Sequence, residues 1–425
     1  MLNRKNGIWI GIIAILPLLI PVDTIAYTTG KVVDFFTRKP VSGALVTVNP
    51  YGVLTGQNGN FTVNADLNKL AVRAAGYKRN EQTITPPFNS QSHEIKLIPF
   101  KPKGLYLSFF GIGDRTLRES AIQLIQETEL NTLVVDVKGD RGMIPYKSTV
   151  PLAMEVGAQR ITTVREMTEL MRSLKGRGIY TIARIVVFKD HPLATAKPEW
   201  AVKTQNGEIW RDRENLSWVD PFNKEVWNYN IQIAIEAAKY GFDEIQFDYV
   251  RFPDATGLRF SMPNTEENRV KAISGFLMEA RRELIPYNVF LSADIFGYVC
   301  WNRNDTDIGQ RLEDLAPHLD YICPMLYPSG FQYGIPGYRN PVANSYEIIY
   351  LSLKRAQERT RLPSYRFRPW LQAFRDYAFD RRYFNDKEIM DEIKAAEGFG
   401  SHGWMLWNPR NNYSSAGLKK EKPLG

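Results

Sequence analysis

The chain has 425 residues, too many for one ordinary hydrophobic core, so its length points to two domains or to one large barrel with an appendage. A composition of 44% hydrophobic and 24% charged residues is that of a packed globular protein and excludes a disordered or fibrous chain. Lys and Arg, 54 against 46 Asp and Glu, give a net charge of +8, but the charges are interleaved rather than gathered into the basic stripe that nucleic acid requires, and two cysteines are too few for a disulfide scaffold or a zinc site.

Residues 1–26 open with Arg4 and Lys5, continue through an apolar run from Ile8 to Val22, and end in Thr24-Ile25-Ala26, the three-part pattern of a secretory signal peptide. The run is shorter than the ~20 residues a spanning helix needs and is interrupted by Pro17 and Pro21, which favours cleavage over retention as an anchor. The expected location is therefore secreted or periplasmic, without a stable membrane span after cleavage; an uncleaved signal tethering the protein is the alternative. An oxidising compartment permits a bridge between Cys300 and Cys323, although Cys323 sits in an apolar run and reads equally as a buried thiol.

Residues 27–100 contain short β-type runs, among them Ala44-Leu-Val-Thr-Val, Phe61-Thr-Val, Leu70-Ala-Val-Arg-Ala and Glu94-Ile-Lys-Leu-Ile, separated by Gly52, Gly56-Gln-Asn-Gly59 and Gly76. This spells a small all-β sandwich. Gly30-Lys-Val-Val-Asp, Pro40-Val-Ser-Gly-Ala-Leu-Val, Gly56-Gln-Asn-Gly-Asn-Phe and Ala75-Gly-Tyr together resemble the carboxypeptidase regulatory-like domain, which implies an immunoglobulin-like sandwich in an accessory role. The run Pro99 to Gly104 reads as a linker.

From residue 104 to 410, short β runs alternate with helical stretches, the rhythm of repeated βα units. Eight strands are expected: Leu105–Phe110, Thr132–Val137, Tyr180–Val187, Glu244–Val250, Val289–Phe296, Tyr321–Tyr327, Pro369–Phe374 and Gly403–Trp407. Eight units predict a closed (β/α)8 TIM barrel. Asp220 as N-cap with Pro221 behind it, and Gly241 as terminator, are expected to bound the helix before the fourth strand; Thr163 and Glu166 are expected to form a capping box for the helix before the third. The polar tail 411–425 leaves the eighth helix short or missing, so the sandwich or the tail is expected to cover that edge.

Strand side chains alternate, and the polar ones fall on a single parity near the C-terminal strand ends, where such barrels keep their active sites. Asp136 and Lys138 in the second strand, Arg184 in the third, Gln246 and Asp248 in the fourth, Ser292 and Asp294 in the fifth, Tyr327 in the sixth and Gln372 in the seventh all take the interior side. So many buried polar groups are costly unless they surround a hydrated or ligand-filled pocket. Asp248 and Asp294 end neighbouring strands, about 5 Å apart in the hydrogen-bonding direction, and two carboxylates facing one substrate are what glycoside hydrolysis uses. The competing assignment for Asp248 is an ion pair with Arg184 or Arg251; for Asp294, a loop cap; for Asp136, an orienting or hydroxyl-binding role. Trp200, Trp210 and Trp218 fall in the long segment after the third strand, while Trp301, Tyr327 and Trp407 follow or end strands and are the expected walls of sugar subsites. His191 is placed to touch substrate; the remaining histidines have no metal-like spacing, and neither a Gly-x-Ser-x-Gly elbow nor a phosphate loop is present. No cofactor is expected.

The stretch Gly241-Phe-Asp-Glu-Ile-Gln-Phe-Asp-Tyr-Val-Arg-Phe-Pro253, with Ser292-Ala-Asp-Ile-Phe-Gly297 and Asp320-Tyr-Ile-Cys-Pro-Met-Leu-Tyr-Pro328, resembles the glycoside hydrolase family known as the DUF4015 domain over roughly residues 104–409. The resemblance implies a TIM-barrel hydrolase of bacterial glycans, with Asp248 as a fourth-strand catalytic carboxylate and Arg251 as its neighbour. In many sugar-cleaving barrels the fifth strand brings a Glu; this chain has Asp294 there. The combined expectation is a glycosidase acting on a polysaccharide or oligosaccharide. Asp248 and Asp294 are its catalytic pair, and Asp136, Lys138, Arg184, Arg251, Trp301, Tyr327, Gln372 and Trp407 are its substrate-binding residues. The alternative is a barrel of the cell envelope that binds glycan without cutting it.

Overall fold

The computed structural model describes residues 27–48, 50–64, 69–83 and 93–420; the expected signal peptide lies outside them. The N-terminal region is two small sheets. Tyr27–Asp34 pairs with Asn60–Asn64 and His93–Leu97, and Leu45–Val48 lies among Tyr51–Leu54, Lys69–Arg73 and Asn80–Thr83. Alternation in these strands puts Val32, Val46, Phe61, Val72 and Ile95 into one shared core. Gly59 cannot be replaced cheaply: its φ is 74°, and a Cβ would meet the Val32 carbonyl at 2.4 Å.

The barrel strands are β1 (Lys103–Leu107), β2 (Thr132–Lys138), β3 (Tyr180–Val186), β4 (Glu244–Asp248), β5 (Phe290–Phe296), β6 (Tyr321–Met325), β7 (Trp370–Gln372) and β8 (Trp404–Trp407). Each pairs in parallel with the next, and β8 returns to β1, closing the predicted eight-stranded barrel. Each strand from β1 to β7 is joined to the next by a segment that carries a helix: α1 (Arg115–Glu127), α2 (Met167–Gly176), α3 (Lys224–Tyr240), α4 (Glu266–Leu284), α5 (Leu312–Leu315), α6 (Ser345–Thr360) and α7 (Asp386–Phe399), with shorter helices at Phe109–Gly113, Pro151–Glu155 and His191–Ala196 preceding the first three. Gly241 ends α3 in the left-handed region as expected, at φ 94°. The start differs: Asn223 caps α3 by accepting from Glu225 N–H, while Asp220 accepts from Phe222 and Ser261 and closes the preceding loop. The expected box at α2 does not form either. Glu166 is its N-cap without a side-chain bond, and the Thr163 hydroxyl instead donates to the Phe109 carbonyl.

The two ends of the barrel are finished differently. Beyond β8 the described tail runs back over the β8–β1 edge. Tyr413 Oη donates to the Tyr106 carbonyl, Asn411 Oδ1 accepts from Ser108, and Glu129 N–H donates to the Lys419 carbonyl. The sandwich sits at the N-terminal end. Gly76 N–H donates to Tyr321 Oη, Asn288 donates to Thr47 Oγ1 at 2.7 Å, and Arg73 forms a buried ion pair with Asp320. Phe100 and Ala75 join Tyr180, Phe290 and Tyr321 in the interior cluster. One end is thereby sealed, and the C-terminal end is left as the mouth. Among the described residues no helix is long and apolar enough to cross a membrane. Cys300 and Cys323 are both free and buried.

Candidate active site

Parity and register bring one charged cluster into the mouth. Arg184 on β3 lies in register with Asp136 on β2, and Val186 with Asp248 on β4. The guanidinium donates from Nη1 to Asp136 Oδ1 at 2.7 Å. It reaches Asp248 Oδ2 from Nη2 at 2.6 Å and from Nε at 3.0 Å, and its Nη2 also reaches Asp140 Oδ1 at 2.7 Å. Arg184 is 1% exposed. One cation thus serves three carboxylates in a place largely withdrawn from water.

Each acid is held differently. Asp136 also accepts from Tyr106 Oη at 2.8 Å and from Phe109 N–H at 3.0 Å. Burial nonetheless outweighs Arg184 and raises its pKa to about 6. Asp248 accepts the two Arg184 bonds on Oδ2 and Tyr249 N–H at 2.6 Å on Oδ1. The backbone is strained at this point: Tyr249 is held at φ 48°, a left-handed conformation that costs a side-chain-bearing residue about 1–2 kcal/mol. Asp294 is 1% exposed and takes one donated bond, from Trp370 Nε1 at 2.7 Å. Burial first, and then the charge of Asp248, hold its carboxyl well above the usual range.

Of the residues expected from sequence, Asp136, Arg184, Asp248, Asp294, Tyr327 and Trp407 come together at the mouth. Trp407 stacks on Tyr106 at 4.0 Å between centroids, with the Arg184 guanidinium 5.0 Å over its ring. Tyr327 is raised by burial and then by the charges of Asp294 and Asp248. Arg251 stays at the rim, stacked over Trp218 and Tyr249 at 5.0 and 5.2 Å and donating to the Phe252 carbonyl. Three expected residues do not face the mouth. Lys138 is fully buried, paired with Asp190 at 2.5 Å and lying over the Tyr229 ring of α3. A register shift beside Arg184 aligns Lys138 with Ile185, turning it to the helix side. The Gln372 side chain bonds only to Ser329 and the Phe374 carbonyl, pinning the loop after β6. Trp301 donates to Ser352 Oγ on α6 and lines a separate groove on the flank. His191 is also occupied, accepting from Ser217 N–H.

Sequence reasoning passed over Asp140, Tyr106, Trp370 and Tyr249. Tyr106 and Trp370 share the interior parity of their strands, and Asp140 sits in Gly139-Asp-Arg-Gly142, a polar turn directly after β2; these were the available signals. The open part of the mouth is a cleft of about 280 Å³ lined by Tyr106, Phe110, Asp136, Asp140, Arg141 and Glu214, with Phe110 56% exposed. An acid surface beside one bare aromatic ring, Phe110, suits the polar edges and an apolar face of a sugar.

The model of the family described as "Putative glycosyl hydrolase domain" (DUF4015) matches residues 104–413, the whole barrel. The chain belongs to this family. Its glycosyl hydrolase-like barrel also superposes on the glycoside hydrolase domain of PgaB (BpsB) from Bordetella bronchiseptica. That match covers 74% of this chain and 95% of that one at a TM-score of 0.54 and 14% identity, which bears on the fold alone. A hypothetical protein from Ruminiclostridium thermocellum is 41% identical, covering 45% of this chain and 96% of its own, at a TM-score of 0.41. A class V chitinase from Pseudomonas fluorescens matches 74% of this chain and 96% of its own at 13% identity and a TM-score of 0.44. No curated protein matches the chain.

Proposed function

We propose that the DUF4015 barrel hydrolyses a glycosidic bond of a bacterial polysaccharide or oligosaccharide, with Asp294 as general acid and Asp248 as its ionised partner. The observation that carries this is the unlike setting of two neighbouring carboxyls: burial and the charge of Asp248 hold Asp294 well above the usual carboxylate range, while Arg184 and the Tyr249 amide bond both oxygens of Asp248. Asp294 gives its proton to the departing glycosidic oxygen. As that bond breaks, Asp248 either attacks the anomeric carbon or takes a proton from the water that does; in the first case a water that gives its proton to Asp294 then cleaves the sugar–Asp248 ester and frees both carboxyls, and in the second Asp248 releases its proton to solvent while Asp294 regains one. Tyr106, Trp407 and Phe110 wall the sugar. Secretion or periplasmic export through residues 1–26 belongs to the same proposal, as does the carboxypeptidase regulatory-like origin of the sandwich.

A barrel that binds glycan without cutting it is favoured by one observation: Asp248 and Asp294 are 4% and 1% exposed, so a sugar must displace side chains to reach them. The test is product release from a panel of bacterial exopolysaccharides by the native protein and by Asp248→Asn and Asp294→Asn. Hydrolysis is expected to fall by about 10²–10⁴-fold in each variant, with binding kept. Intact bound glycan and no products from the native protein would establish the binding barrel; an unchanged rate in Asp248→Asn would remove Asp248 from the mechanism.

A further inference from the structure

A groove larger than the mouth cleft lies on the flank of the barrel. Leu351, Lys354, Arg355 and Glu358, spaced to share one face of α6, line its volume of about 640 Å³. That volume lies within the ~300–1,000 Å³ of small-molecule sites. The opposite wall is Tyr298 and Trp301, on the turn after β5. Both rings are fixed in place. Trp301 Nε1 donates to Ser352 Oγ at 2.8 Å, and Tyr298 Oη accepts from Tyr333 N–H at 2.9 Å while donating to the Gly334 carbonyl. A fixed, partly exposed indole is a stacking platform that loses little entropy on binding.

The charge beside it is uneven. An adjoining groove of about 580 Å³ shares Arg355 and Glu358 and adds Arg303, Arg311, Glu313, Asp314 and Arg359. Arg359 pairs with Glu313, Arg311 with Asp314, and Arg355 with Glu358. Lys354, half-buried, and Arg303, exposed, have no ion-pair partner among the described residues. Lys354 therefore stands uncompensated in the groove that holds the indole, and Arg303 stands so in the adjoining one. We propose that this groove is a second saccharide site, separate from the mouth, which takes an acidic sugar. The ring stacks on Trp301, and the anionic substituent meets Lys354 and Arg303. The inference shares with the proposed function only the premise that the ligand is a glycan.

Calorimetric titration of the full chain carrying Asp248→Asn, expected to slow any turnover, tests it with hexagalacturonate as the acidic probe and maltohexaose as the neutral one. The acidic hexamer is expected to bind more tightly, to weaken with added salt, and to lose about tenfold in affinity in each of Trp301→Ala and Lys354→Glu. Because Trp301 also holds Ser352, Lys354→Glu, on a helix face open to the groove, keeps the test decisive if the other variant misfolds. Equal binding of the two hexamers, or acidic binding unmoved by Lys354→Glu, would overturn the site. Both results are independent of whether the mouth is catalytic, which product release decides separately.

Discussion

Arg368, near the sandwich end of the barrel, and Arg184, near its mouth, are both buried guanidiniums among interior polar side chains, yet they are bonded differently. Arg368 meets one acid, Glu244, and lies over the Tyr321 ring at 4.6 Å; Glu244 is completed by Tyr180 and Ser292 hydroxyls, and both ionic partners are wholly buried. That cluster is neutral and closed beneath the docked sandwich. Arg184 meets three acids, one of which, Asp140, keeps 39% of its side chain exposed. The acids bonded to Arg184 therefore carry more negative charge than that one guanidinium neutralises. A buried surplus of that kind is destabilising unless protons or a ligand relieve it, and burial raises the Asp136 carboxyl and, with the charge of Asp248, the Asp294 carboxyl. The same side-chain chemistry holds the structure together at one end and keeps a site poised at the other.

Breaking the basal pair gives the largest expected effect. Arg368→Met leaves Glu244 charged and unpaired in the core and is expected to cost about 3–5 kcal/mol in denaturant unfolding, with Arg368→Met/Glu244→Gln recovering much of the loss. A loss below 1 kcal/mol would mean that the basal cluster is hydrated and not closed. The mouth responds to pH instead. Asp136 in the folded protein has its pKa raised to about 6 from an ordinary value near 3.8. The folded state therefore holds that proton more tightly than the unfolded chain, so the Asp136 contribution is fully present below about pH 4 and is lost as pH rises towards 6. Subtracting the stability of Asp136→Asn from that of the native protein across this range should yield a difference that declines with pH, by no more than about 3 kcal/mol. A flat or rising difference would contradict the burial of that carboxyl.

Much of this contrast was legible in the sequence, because a period of two decides which side chains face the barrel interior. It selected Asp136, Arg184, Asp248 and Asp294 and placed them at the strand ends that meet in the mouth. It failed at Lys138, where a single irregularity in register reverses the facing of everything beyond it. It was silent past the strand ends. Trp301 lies on the turn after β5, where strand alternation no longer applies, and Gln372, correctly placed inward, is taken up by Ser329 from another strand's loop. The left-handed backbone of Tyr249 left no mark either, since a tyrosine there reads as an ordinary strand residue. The true cap of α3, Asn223, was passed over because Asp220-Pro221 offers an equally good local signal and only tertiary contacts choose between them.

The central claim is that burial and the neighbouring Asp248 hold the Asp294 carboxyl well above the usual range, which fits it to donate the proton. Infrared difference titration of protein labelled with ¹³C at the aspartate carboxyls, comparing native with Asp294→Asn in an Asp136→Asn background, reads that state directly. The account predicts a protonated aspartate signal at neutral pH that disappears with Asp294→Asn; an Asp294 already ionised there would contradict it.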